Sequence, residues 1–99
     1  MRVEVLPLAV RDLEAIGDYI AADSPARAVR FIEGLCQQFA LIATSPLAWR
    51  ERPELGPGIR SCAHGRYVIF FTATRTRLTI ARVLHGAMDI PAQLAGEPD

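Results

Sequence analysis

Two imidazoles, two thiols and eleven guanidinium groups carry most of the chemistry open to this chain of 99 residues, which contains no lysine. Cys36 and Cys62 stand alone, far apart, with no Cys-x-x-Cys pairing, and together with His64 and His85 they fall short of a metal-ligand pattern. Cys62 and His64 can share one strand face, but two ligands do not make a site. Both cysteines read as reduced structural residues of a cytosolic protein. His85 is either a general acid or base or a structural hydrogen-bonding residue beside Gly86; no second proton-transfer group lies at a matching spacing, so no catalytic residue and no cofactor is assigned. Tyr67, inside an apolar run, reads as a packed aromatic rather than a catalyst. Arg60, Arg66 and Arg82 fall on three consecutive strands. They either converge on a phosphate or carboxylate, which a guanidinium holds with two hydrogen bonds, or pair locally with Glu54, Glu51 or Asp89. Trp49, between loop arginines Arg50 and Arg52, either anchors a partner or covers the edge of the core.

These residues need elements to position them. Val3 and Val5 alternate with Glu4 and read as a short strand. Pro7 suits a first helical turn, and Leu13, Ile16 and Ile20 then recur at helical spacing, leaving Arg11, Asp12, Glu14 and Asp18 to face water. Gly17 interrupts that helix, and close approach of a second helix is the simplest reason for it. The second helix opens with Ser24 as N-cap and Pro25 behind it. It carries Ala28, Ile32, Leu35, Phe39 and Ile42 as one apolar row and stops at Ser45-Pro46. A link this short between helices predicts an antiparallel hairpin. Residues 46–58, with three prolines and two glycines, read as a loop. Strands follow at Ile59–Ala63, Arg66–Thr72 and Leu78–His85, the first two joined by a His64-Gly65 turn, and the tail beyond Asp89 has room for one helical turn.

The order strand, helix, helix, strand, strand, strand predicts a single α+β domain over residues 1–99, β-α-α-β-β-β. Its mainly antiparallel four-stranded sheet has an N-terminal helix hairpin packed on one face. A helix hairpin returns the chain to the end it left, so the strand after it is expected antiparallel to the first. The Tyr67 strand is apolar on both sides, with Tyr67, Ile69 and Phe71 on one and Val68 and Phe70 on the other. Two helices do not readily cover both faces, so the surplus apolar surface points to a partner. Composition narrows the function. A chain that is 51% hydrophobic is not a disordered one, and eleven cationic against eleven acidic residues argue against a protein devoted to neutralising phosphates. The absence of lysine reads chiefly as codon bias, alongside a lesser geometric argument for arginine. There is no signal-peptide core and no apolar run near the ~20 residues of a membrane span, which predicts a cytoplasmic protein with no membrane contact.

Several short motifs occur in a familiar order. They are Arg11-Asp12-Leu13-Glu14-Ala15-Ile16 and Asp18-Tyr19-Ile20-Ala21, then Arg52-Pro53-Glu54-Leu55 and Pro57-Gly58-Ile59-Arg60-Ser61. Gly65-Arg66-Tyr67-Val68-Ile69-Phe70-Phe71 follows, and Arg82-Val83-Leu84-His85-Gly86 with Asp89-Ile90 closes the series. Over about residues 3 to 90 the chain resembles the ParE branch of the RelE/ParE superfamily of bacterial toxin–antitoxin toxins. The resemblance implies a non-enzymatic toxin that binds and blocks DNA gyrase. It also implies a ParD-like antitoxin that wraps the toxin in a hetero-oligomer and alone contacts operator DNA. The RelE branch shares the fold but cleaves mRNA on the ribosome with clustered Lys and Arg plus a Tyr or His near the C-terminus, where cations stabilise the reacting phosphate. This chain departs from that pattern in its neutrality and missing lysines. At Met88 it departs from both branches, which commonly carry a cation there. A ribosome-dependent endoribonuclease, or a non-toxic member that only complexes its antitoxin, is the alternative.

Overall fold

The computed structural model describes residues 1–88 and 90–94. Strand β1 (Arg2–Val5) leads into α1 (Pro7–Ala21) and α2 (Pro25–Thr44), followed by β2 (Arg50–Glu51), β3 (Arg60–His64), β4 (Tyr67–Ala73), β5 (Arg77–His85) and a short α3 (Ile90–Leu94). Ser24 caps α2 as expected, its hydroxyl accepting the Arg27 N–H at 3.3 Å with Pro25 in the first turn. The apolar row of α2 points inward: Ala28, Leu35, Phe39 and Ile42 are buried and Ile32 is half-buried. Ala9 and Ile16 of α1 meet them, and Cys62, Ile69, Phe71, Leu78, Ile80 and Val83 of the sheet close the main core.

The sheet has five strands rather than four, in the order β1-β5-β4-β3-β2. The extra strand is the two-residue β2, which pairs Arg50 and Glu51 antiparallel with Ser61 and Arg60 inside the stretch expected to be loop. That small strand corrects a direction as well. β2 reverses the chain, so β3 runs parallel to β1 instead of against it. β1 itself pairs parallel with β5, from Arg2 opposite Arg77 to Val5 opposite Ile80. Two residues are too few for period-two patterning to reveal, and the surrounding prolines mask them further.

Three more expectations change. Phe70 is only 1% exposed within the chain, so the second face of β4 does not lie open there. Its register neighbours are Ser61 and Arg82. Arg52 reaches the Ser61 hydroxyl at 3.3 Å, and Arg82 donates to the Gln93 carbonyl of α3 at 3.0 Å, so the chain covers that face from both flanks. Large exposed apolar residues lie mostly elsewhere, at Leu8, Val10, Tyr19, Val29 and Leu41 of the helices and at Leu47 of the loop. Gly17 is not required by crowding. A Cβ there would sit 3.7 Å from the nearest Ile32 carbon, an ordinary contact. Asp12, assigned to solvent by helical patterning, is turned inward against β5.

Candidate functional site

At one end of the sheet the β3–β4 turn, the last turn of α1 and the first turns of α2 enclose a groove of about 600 Å³. It is lined by Tyr19, Ile20, Arg27, Phe31, Gly65, Arg66, Tyr67 and His85. Local packing builds it. Gly65 adopts φ +60°, which suits the hairpin turn and favours glycine, and a Cβ there would come within 3.3 Å of the Phe31 ring. Gly34 faces His64 in the same way, with 3.4 Å between a built Cβ and Nε2. The two glycines let α2 press onto the turn. A chain of rings results: Phe31 tilts against His64 at 5.4 Å and against Tyr67 at 5.6 Å, and Tyr67 meets His85 edge-on at 5.3 Å. Such tilted and edge-to-face contacts are the favoured geometry between rings.

Three of the six candidate residues, Arg66, Tyr67 and His85, therefore share one groove. His85 Nδ1 accepts the Ala87 N–H at 3.1 Å, so in the neutral ring the proton sits on Nε2, which can only donate. Among the described residues, no carboxylate lines the groove. The Arg66 guanidinium makes no hydrogen bond or ion pair with any described residue, although its carbonyl accepts the Gly86 N–H at 2.9 Å, and the Arg27 guanidinium holds the exposed Asp23 at 3.5 Å. Ring edges, guanidinium groups and a single imidazole donor make a surface suited to holding an anionic group. Among the described residues, no cluster of three or more His, Cys, Asp or Glu side chains comes together.

The other candidates lie elsewhere, and the three arginines do not converge. Arg60 donates to the Trp49 carbonyl at 2.8 Å and lies 3.9 Å from Glu51 at the β2 edge. Trp49 packs against the main core from its rim. Arg82 is the most enclosed. Its Nε and Nη2 donate to the two Asp12 oxygens at 2.8 and 2.9 Å, and both side chains are at most 15% exposed. Nearby, Arg52 donates to Glu54 at 2.7 Å and holds that carboxyl below its ordinary value. Burial pushes the Cys62 thiol up, partly offset by the Gln38 amide donating to its sulfur at 3.2 Å. Cys36 is exposed on α2, and both cysteines are free thiols. Sequence patterning gave no warning of Phe31, Tyr19 or Arg27 as groove residues. Their only signal was their position just before and just after the turn between the helices.

A second hollow, of about 450 Å³, runs along the outer seam of the helix hairpin, with Gly17, Ala21, Ala28, Val29 and Ile32 among its lining residues. Its floor is small and apolar.

Helix hairpin and five-stranded sheet together make a small α+β protein with a cationic groove at one end of its sheet. The profile described as "ParE toxin of type II toxin-antitoxin system, parDE" matches residues 3–90, and the chain belongs to that family. A solved chain titled "Chromosomal ParDE TA system from P. aeruginosa" superposes with a TM-score of 0.73. It is 22% identical, and the match covers 86% of this chain and 95% of that one, a likeness in fold. No curated protein matches the sequence significantly. Among the described residues, no helix is long and apolar enough to cross a membrane.

Proposed function

We propose that this chain is a cytoplasmic toxin that acts by binding, with DNA gyrase as its target. A ParD-like antitoxin neutralises it in a hetero-oligomer and supplies all contact with operator DNA. The observation that carries the reading is the family match over residues 3–90. The groove suits a binding role in what it presents, guanidinium groups beside aromatic rings. The neutral net charge agrees, since capture of an RNA-rich target draws strongly on electrostatics. The apolar seam between α1 and α2 is the seat of an amphipathic antitoxin helix: Gly17, Ala21 and Ala28 let a partner helix approach closely, and Val29 and Ile32 supply contact area.

Induced expression tests this directly. The chain alone arrests growth, co-expression of the adjacent small gene restores it, and reporter plasmids lose negative supercoiling while mRNA stays whole. Arrest with mRNA cut in the ribosomal A site and normal supercoiling supports the endoribonuclease instead. Normal growth removes both toxin readings.

A further inference from the structure

The sheet ends in two edges, β2 on one side and β1 on the other. β2 is two residues long and is cut short by Pro53, so it offers little to a further strand. β1 is four residues without a proline, and Arg2, Val3 and Glu4 are exposed along it. Its ladder with β5 uses alternate residues. The Arg2 N–H donates to the Thr76 carbonyl at 2.9 Å and the Leu6 N–H to the Ile80 carbonyl at 3.0 Å. In a parallel pair of that register, the N–H and C=O groups of Val3 and Val5 point the other way, to the open edge. Val5 packs on the core, so Val3 shares the helix-bearing face, while Arg2 and Glu4 share the opposite one. Glu4 holds Arg77 at 3.5 Å. Arg2 stands directly opposite Arg77, and its guanidinium makes no hydrogen bond or ion pair with any described residue.

We propose that this edge is an interface with a second copy of the chain, in which the two β1 strands pair antiparallel about a two-fold axis at Val3. The charges select both the occupant and the register. With Val3 opposite Val3, Arg2 of each copy faces Glu4 of the other, so the cation left without an acid gains one on either side of the axis. A shift of two residues sets Arg2 against Arg2 or Glu4 against Glu4. A shift of one sets Val3 against a charge and turns the helix layers to opposite faces. Exposed edges are commonly guarded by charge of one sign, which repels a second copy. Here the two signs, two residues apart, attract one instead. The Val3 N–H and C=O groups of the two strands bond each other, and the Val3 side chains, each 40% exposed in the single chain, cover one another. The two five-stranded sheets become one continuous sheet. So short a pairing buries little surface, which makes this a weak dimer, with a Kd on the order of 10 μM.

The test is sedimentation equilibrium of the purified chain over a range of concentrations, where the unaltered chain shows monomer and dimer in exchange. Val3→Pro removes the N–H that faces the edge and none that faces β5, so the ladder stays while self-association weakens by about tenfold or more. Arg2→Glu and Glu4→Arg each set like charges opposite one another, and each weakens self-association by about tenfold. Mixed in equal amounts, these two variants pair with each other, because one is acidic at both positions and the other basic at both. The mixture is the decisive arm, since a variant that had lost its fold would not be rescued by the other. Arg50→Glu, on the opposite edge of the sheet, leaves the dimer unchanged. A chain that stays monomeric well above the expected Kd, a dimer indifferent to Val3→Pro, or no recovery on mixing overturns the proposal. None of these readouts involves growth, gyrase or an antitoxin, so the edge and the toxin reading stand or fall separately.

Discussion

Asp12 is the residue on which the sheet and α1 are joined. Its carboxylate accepts both forks of Arg82 and, at 3.0 Å, the backbone N–H of Val83. The reason lies in β5, where the pairing slips between Phe70 and Phe71: Phe70 faces Arg82 while Phe71 faces Ile80. This bulge puts Ile80 and Val83, three residues apart, on the same core. β1 ends opposite Ile80, and Asp12 accepts the Val83 N–H just beyond it. Arg82 is thus held in place by Asp12 and largely enclosed. Because the pair is largely enclosed, Arg82→Ala or Asp12→Ala costs about 3 kcal/mol by removing the ion pair from an enclosed charge. The double mutant costs clearly less than the sum, which urea unfolding of the three variants measures. Strict additivity would mean the two groups do not act together. Arg60→Ala, which removes one hydrogen bond to a backbone carbonyl and a loose ion pair, costs only about 1 kcal/mol.

At the level of elements, the helix hairpin is the part with most to reveal through one substitution. Gly17 lies inside α1, with ordinary contact distance above it, and is not among the glycines of positive φ. Gly17→Ala therefore raises stability by about 1 kcal/mol and the midpoint of thermal unfolding by roughly 4–8 °C. The same methyl shallows the outer seam, so antitoxin affinity falls while the fold is strengthened. Calorimetry and a binding titration separate the two effects, and a rise in both would remove the seam as a docking site. The helices were readable in advance because a long amphipathic helix writes its buried face at a regular spacing, as Leu35, Phe39 and Ile42 do. β2 was not, since two residues carry no period. Asp12 was misplaced for a related reason: helical spacing puts it outside the apolar stripe, and only the unforeseen bulge brings an N–H and a guanidinium to meet it. Of the candidate site, the hairpin glycine Gly65 and the strand residues Arg66, Tyr67 and His85 were legible in sequence. Arg27 and Phe31 were not, because they reach the groove through the crossing of α2 over the β3–β4 turn, a tertiary fact with no local pattern.

For the molecule as a whole, the residues that face outward matter more than those expected to. A strand apolar on both sides pointed toward a partner on the sheet, yet Phe70 is covered within the chain and the exposed apolar residues collect largely on the helices. The proposed reading therefore puts the partner surface on the hairpin, with the cationic groove at its end. The two surfaces differ in chemistry, and a partner engaging both would be specified by shape on one and by charge on the other. The family match over residues 3–90 is what sets binding at the centre of the functional account proposed above. A gyrase supercoiling reaction with the purified chain tests that claim most directly. The account predicts that supercoiling of relaxed plasmid falls as the chain is added and recovers when its antitoxin is supplied. Undiminished supercoiling at saturating chain, together with mRNA cleavage when the same preparation is added to translating ribosomes, would contradict it.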